Sequence, residues 1–304
     1  MIDYCKATLR KVISYWKLAF ECLLIVVFVF YGIRYWSEIR DIVQRISPSA
    51  LCLCVGIYSL SHFLAAMATK ALFAAKGYPM SFATFLRIHL QRLPAKYLPG
   101  GIWHTVGRGA DLVQLGIATR TVTQVLLLEQ ILAIWWAGFI GFILIGCTFG
   151  GATRMAAFAL AAALLAGAGL LMWLLVRFKP NAADLAHVAF MPEVCIAYVI
   201  GWCCLAIAFT CYAWVGELTQ APPLRIAASY LVSWMVGALA FFAPQGMGVF
   251  ELAMQYAIFP SQPSSAGSLW LIGSYRLVVL SADLIAWLVC GLSCNIKSPT
   301  GNKS

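Results

Sequence analysis

Long apolar runs leave this chain few choices of fold. Residues 49–73, 121–146, 155–176, 195–215 and 268–292 are each long enough to cross a bilayer as a helix, and 18–33 is a shorter run of the same kind. Hydrocarbon offers no partner to a bare N–H or C=O, so such runs fold as α-helices, whose backbone bonds are internal. Hydrophobic residues make up 62% of the chain, charged residues 11%, and mean hydropathy is +0.87. The fold class is therefore an all-α polytopic membrane protein, with about six full transmembrane helices in a single domain over residues 1–304. No room is left for a separate soluble catalytic domain.

The formal net charge is +10. In a membrane protein this follows from lysine and arginine collecting in cytoplasmic loops, and it does not point to nucleic acid. The cationic face would attract anionic lipid headgroups. Most of the cysteines, including Cys22, Cys52, Cys54, Cys147, Cys203, Cys204, Cys211 and Cys290, sit inside apolar runs, where cysteine packs as a small hydrophobe. Cys52-x-Cys54 has no partner cluster of zinc spacing, so no metal is expected. Lys6, Arg10, Lys11 and Lys17 precede the first apolar run, which ends without a small-residue cleavage site; an uncleaved first span is expected.

Two breaks interrupt the helical pattern. The first is Lys96-Tyr97-Leu98-Pro99-Gly100-Gly101-Ile102-Trp103, running on to Gly107-Arg108. Proline removes a backbone donor and clashes with the preceding turn, and two glycines let the chain reverse. The second is Pro244-Gln245-Gly246-Met247-Gly248, followed by Val249-Phe250-Glu251. Irregular backbone at membrane depth survives where it lines a cavity or is buried in protein. Residues 80–98 are amphipathic and too polar for a lipid-facing span. They read either as a surface helix or, preferably, as the descending arm of a re-entrant hairpin that turns at Pro99, Gly100 and Gly101. Residues 226–243 run into the second break and 250–259 leave it.

The breaks are related. Pro99 and Pro244 stand 145 positions apart, as do Gly101 and Gly246. The same offset carries 49–73 onto the fifth span, 80–98 onto the arm before the second break, and 121–146 onto the last span. Each half, about 1–147 and 148–296, then reads span, span, broken hairpin, span. Three spans per half is odd, so the second half enters the membrane inverted, an arrangement that many transporters use. The cationic bias puts both termini in the cytoplasm of a cytoplasmic (inner) membrane.

Ionisable residues inside spans are functional candidates by default. Glu129, Glu251, Arg276 and Asp283 are of this kind, with Arg276 and Asp283 seven apart on one helix face. A carboxylate among them can bind a proton or a cationic headgroup; alternatively Glu129 or Glu251 pairs with Arg276 and supports the fold. Arg87, Arg92, Lys96 and Arg108 can attract phosphate, flanked by Tyr97 and Trp103, although a solvated cytoplasmic face accounts for Arg87 and Arg92 equally well. His62 reads as a helix-to-helix hydrogen bond. Asp111 and Asp184 look isolated, 111–120 reads as a cytoplasmic connection, and no catalytic constellation, metal ligand set or cofactor motif is found.

On these two motifs the chain resembles the lysylphosphatidylglycerol synthase transmembrane family, the flippase-like membrane region also seen in the bacterial multiple peptide resistance factor and in stand-alone proteins. Gln245 stands where the family often has glycine. The resemblance covers nearly the whole chain and implies a lipid-translocating membrane domain. The family's synthase activity belongs to an appended soluble domain that these residues do not include, so aminoacyl transfer is not expected of them. The reading is a lipid flippase or transporter for an anionic phospholipid or polyprenyl-phosphate-linked lipid, moved through a groove between two re-entrant hairpins. Its partners are membrane lipids; a homo-oligomer or an envelope-biosynthesis partner also fits. The competing readings are a membrane-embedded glycosyl or lipid transferase and a partner subunit of an envelope-polymer pathway.

Overall fold

In a computed structural model, the described residues are 47–97, 102–178, 187–215, 219–240, 243, 246–258 and 266–295, with four more positions between 33 and 40. The expected first span lies outside them apart from its last residue, and so do the turn residues Pro99, Gly100, Gly101, Pro244 and Gln245.

Every element among the described residues is helical. The long ones are α1 (Pro48–Ala74), α4 (Thr119–Thr148), α5 (Gly151–Phe178), α6 (Pro192–Val215) and α9 (Ala266–Asn295). Among the described residues, five helices are long and apolar enough to cross a membrane, and they coincide with five of the six expected spans. The short ones are α2 (Phe82–Gln91), a 3-10 turn (Leu93–Tyr97), α3 (Trp103–Gln114), α7 (Pro223–Leu239) and α8 (Val249–Ile258). At 1.5 Å per residue none of these reaches across a bilayer. Helix thus stops ahead of each Pro-Gly segment and restarts after it.

Local chemistry sets these ends. Ser47 caps α1, its hydroxyl accepting from Ala50 N at 3.3 Å, and Pro48 takes a position where a missing N–H costs nothing. Ser81 caps α2 in the same way through Thr84 N. The expected connection at 111–120 is shorter than the sequence suggested. α3 runs on to Gln114, so Asp111 lies inside a helix and only 115–118 turn the chain. Gly116 takes φ 89° there, a backbone conformation that side chains disfavour.

The 145-residue offset reappears in the elements. It carries α1 onto α6, α2 onto α7, α3 onto α8 and α4 onto α9, to within a few residues. Packing follows the same exchange. α1 packs most extensively on its own counterpart α6; α4 with α7 matches α9 with α2; α2 with α1 matches α7 with α6; and α3 with α4 matches α8 with α9. Each half also has an apolar centre. One gathers Leu72, Phe73, Phe85, Leu112, Val122 and Leu126. The other gathers Trp202, Phe209, Tyr230, Phe250, Met254 and Tyr275. Lipid is as apolar as these side chains, so close packing and polar contacts, more than water exclusion, hold such helices together.

Candidate functional site

The short segments next to the breaks carry most of the polar side chains, and the spans supply their partners. After the first break, α3 turns Arg108 inward; the residue is 5% exposed. Its Nη1 lies 3.0 Å from Glu129 Oε2 on α4, and its Nη2 donates to Glu129 Oε1 at 3.2 Å and to Thr69 Oγ1 at 3.0 Å. Thr69 donates to Glu129 Oε1 at 2.6 Å. Glu129 and Arg108 therefore neutralise each other out of contact with lipid, as buried charges require.

After the second break the pair recurs with its polarity reversed. Glu251 on α8 accepts from Arg276 Nε on α9 at 2.6 Å. Its other oxygen accepts from Gly248 N at 2.7 Å, so Glu251 also caps the helix it opens. Gly248 has φ 81° and Gly246 φ 66°, and a Cβ on Gly246 would lie 2.7 Å from Gly237 O. Glycine is thus required at Gly246 twice over, by dihedral and by space. An aromatic group seats the segment: Phe209 lies 5.0 Å from Tyr230 and 4.9 Å from Tyr275, ring centre to ring centre.

A third cluster joins the two halves. Asp283 on α9 is fully buried. Lys96 Nζ donates to its Oδ2 at 3.1 Å and Tyr97 OH donates to the same oxygen at 2.9 Å. His62 Nε2 on α1 lies 3.0 Å from Oδ1, off the axis of the ring N–H. His62 Nδ1 in turn meets His89 Nε2 on α2 at 3.3 Å. His104 on α3 sets its ring edge against His89, 6.5 Å between centres.

The expected site residues thus divide. Lys96, Tyr97, Arg108, Glu129, Glu251 and Arg276 all enter buried or half-buried polar contacts. Arg92 pairs with Asp111, Nε to Oδ2 at 2.7 Å, which corrects the reading of Asp111 as isolated. That bond raises the Arg92 pKa above its ordinary value. Glu251 does pair with Arg276, but the partner of Glu129 is Arg108. The four cations do not gather around one anion site; three are each committed to a different carboxylate. Arg87 lies on the exposed face of α2, and Trp103 is half exposed at the start of α3. Sequence reading passed over Thr69, His89 and His104, read His62 as a helix-to-helix hydrogen bond, and counted Asp283 among the intramembrane ionisable residues without giving it these partners. The histidines at 62, 89 and 104 were visible as the polar exceptions in apolar or amphipathic helices. What brings them together is contact across the fold.

Arg276 and Asp283 make α9 the common partner of both interrupted segments. They are seven residues apart, hence about 10 Å along the helix axis and on one face. The cations in these pairs are the more accessible members: the Lys96 side chain is 23% exposed against 0% for Asp283, and Arg276 33% against 12% for Glu251. Fold and site together define a helical membrane protein with polar contacts gathered where its short helices meet its spans. No family model and no curated protein matches the chain.

Proposed function

We propose that the chain is a flippase or transporter of the cytoplasmic membrane that moves an anionic phospholipid or a polyprenyl-phosphate-linked lipid. In this reading it has six spans and two re-entrant hairpins arranged as an inverted repeat, with both termini in the cytoplasm. The recurrence of element bounds and pairings under the 145-residue offset supports the repeat. The observation that carries the function is the accessibility of the cations. Lys96 and Arg276 stand beside the two breaks, each held by a carboxylate more buried than itself. A phosphate headgroup can take over such a cation, because phosphate accepts charge-assisted hydrogen bonds as a carboxylate does. The acyl chains stay in lipid while the headgroup passes from one cation to the other along α9.

The test is headgroup translocation in proteoliposomes with labelled phospholipids and polyprenyl phosphates. Headgroup-selective movement is expected. Lys96→Ala and Arg276→Ala each remove a charge-assisted hydrogen bond worth roughly 1.5–3 kcal/mol, so each slows movement by about ten- to a hundredfold. Folded protein that moves none of these lipids would overturn the reading.

A further inference from the structure

Phe149 and Gly150 are all that separates α4 from α5, and both helices are long and apolar enough to cross a membrane. The connection between them therefore lies where spans meet the lipid headgroup layer. Two arginines converge on it from different helices. Arg154, in the first turn of α5, donates from Nε to Phe149 O at 3.0 Å. Arg225, in the first turn of α7, sets its guanidinium carbon 4.3 Å from the centre of the Phe149 ring. One residue thus holds both cations, by its carbonyl and by its ring. Among the described residues no carboxylate pairs with either of them, whereas Arg92, Lys96, Arg108 and Arg276 each meet one.

Cations at span ends have an ordinary role, with the charged head in water and the stem along apolar surface. Arg154 is exposed and fits it. Arg225 does not. It is half-buried, and its Nε is covered with no hydrogen-bond partner among the described residues. The side-chain bond it makes, from Nη2 to Ala257 O in the last turn of α8, is long at 3.4 Å. A covered N–H without an acceptor is costly, so the arginine is held here against its own solvation. Packing does not demand it either. The 145-residue offset sets Met80 against Arg225, and Met80 packs on the apolar centre of its half. The flank of the connection is open: a Cβ on Gly150 or Gly151 would meet nothing within 4 Å. Exposed apolar side chains adjoin both cations, Met155 after Arg154 and Leu224 before Arg225.

We propose that Arg154 and Arg225 form a binding site for a phosphate group. Phosphate is the fitting anion because a guanidinium presents paired N–H groups at the spacing of two phosphate oxygens. Arg225, stacked on Phe149, offers its fork from a set position. Arg154 engages the carbonyl through Nε, and its two Nη groups can turn to the same phosphate. Met155 and Leu224 favour an anionic phospholipid as the source, since its acyl chains have apolar surface to lie on. Inorganic phosphate offers the same oxygens without the chains. The site uses neither Lys96 nor Arg276, and binding there does not require that lipid be moved.

The experiment is native mass spectrometry of the full chain from detergent, counting bound phosphatidylglycerol and phosphatidylcholine over a range of lipid concentrations. Thermal unfolding checks that each variant is folded. One phosphatidylglycerol is expected to bind about tenfold more tightly than phosphatidylcholine, whose choline cation meets two arginines. Arg154→Ala and Arg225→Gln each weaken that site by about ten- to a hundredfold, the loss of a charge-assisted hydrogen bond. Arg225→Lys keeps the charge without the fork and recovers part of the affinity. Arg177→Ala, on α5 about 35 Å along the axis from Arg154, leaves it unchanged. Inorganic phosphate that displaces the lipid at millimolar concentration keeps the site and gives it to the free anion; phosphate without effect gives it to the lipid. Arginine variants that bind phosphatidylglycerol as wild type does, or an equal loss in Arg177→Ala, would overturn the site. If Arg225→Gln does not fold, Arg154→Ala decides, since that side chain is exposed and bonds to the backbone of its own connection. Proteoliposomes that move no lipid leave this binding standing, whereas lipid movement with unchanged binding in the variants removes this site alone.

Discussion

Glu129 is charged, 7% exposed and set in the middle of an apolar helix, and the residues around it account for this. Arg108 and Thr69 supply hydrogen bonds to its carboxylate oxygens. Glu129→Ala leaves the Arg108 guanidinium buried and unpaired, which costs about 3–5 kcal/mol. Glu129→Gln keeps an acceptor for both partners and costs less. Thermal unfolding of the purified protein should therefore order the variants wild type, Gln, Ala, and an Ala variant as stable as wild type would show that the pair is not structural. Arg92 and Asp111 should behave differently, because the Arg92 side chain is 43% exposed; breaking an exposed pair costs about 0–1 kcal/mol. The sequence marked Glu129, Glu251, Arg276 and Asp283 as unusual because a charge within an apolar run is legible by itself. It did not give Glu129 its partner, because Arg108 reaches it only once α3 has turned back against α4.

At the scale of elements, five of the six expected spans and the two interruptions of helix were legible and the partnerships were not. A long apolar run has one way to satisfy its backbone in lipid, and Pro-Gly has few ways to continue a helix. Neither fact says which helices touch. Lys96 and Asp283 are 187 positions apart and bond through a fold in which α2 and its 3-10 turn lie on α9. The matched contact of α7 with α4 depends on glycine in α4. A Cβ on Gly141 would lie 2.8 Å from Val232 Cγ2 and 3.1 Å from Val232 N, and that backbone atom cannot move away without shifting α7. Gly141→Leu should lower stability by at least the roughly 1–3 kcal/mol of an overpacked core. Gly167→Leu on α5 is the control, since nothing lies within 4 Å of a Cβ there. If both variants melt together with wild type, the α4–α7 contact is not close-packed in the membrane.

At the scale of the whole molecule, the repeat decides how the two interrupted segments face the bilayer. α1 and α6 exchange places under the offset and also pack on each other, as elements beside a pseudo-twofold axis must. If that axis lies in the membrane plane, the α2–α3 segment opens to one side and the α7–α8 segment to the other. α9 then carries Asp283 toward the first and Arg276 toward the second, so that one cation–carboxylate pair stands at each opening. Two exposed leucines report on this: Leu115, just past α3, is 53% exposed, and Leu224, in the first turn of α7, is 48% exposed. With the 11 native cysteines replaced by alanine, the proposed orientation requires Leu115→Cys to react with a membrane-impermeant maleimide only from the cytoplasmic side. Leu224→Cys should react only from the outside. Labelling of both from one side would mean parallel halves, and the two cation–carboxylate pairs on α9 would then serve a single opening.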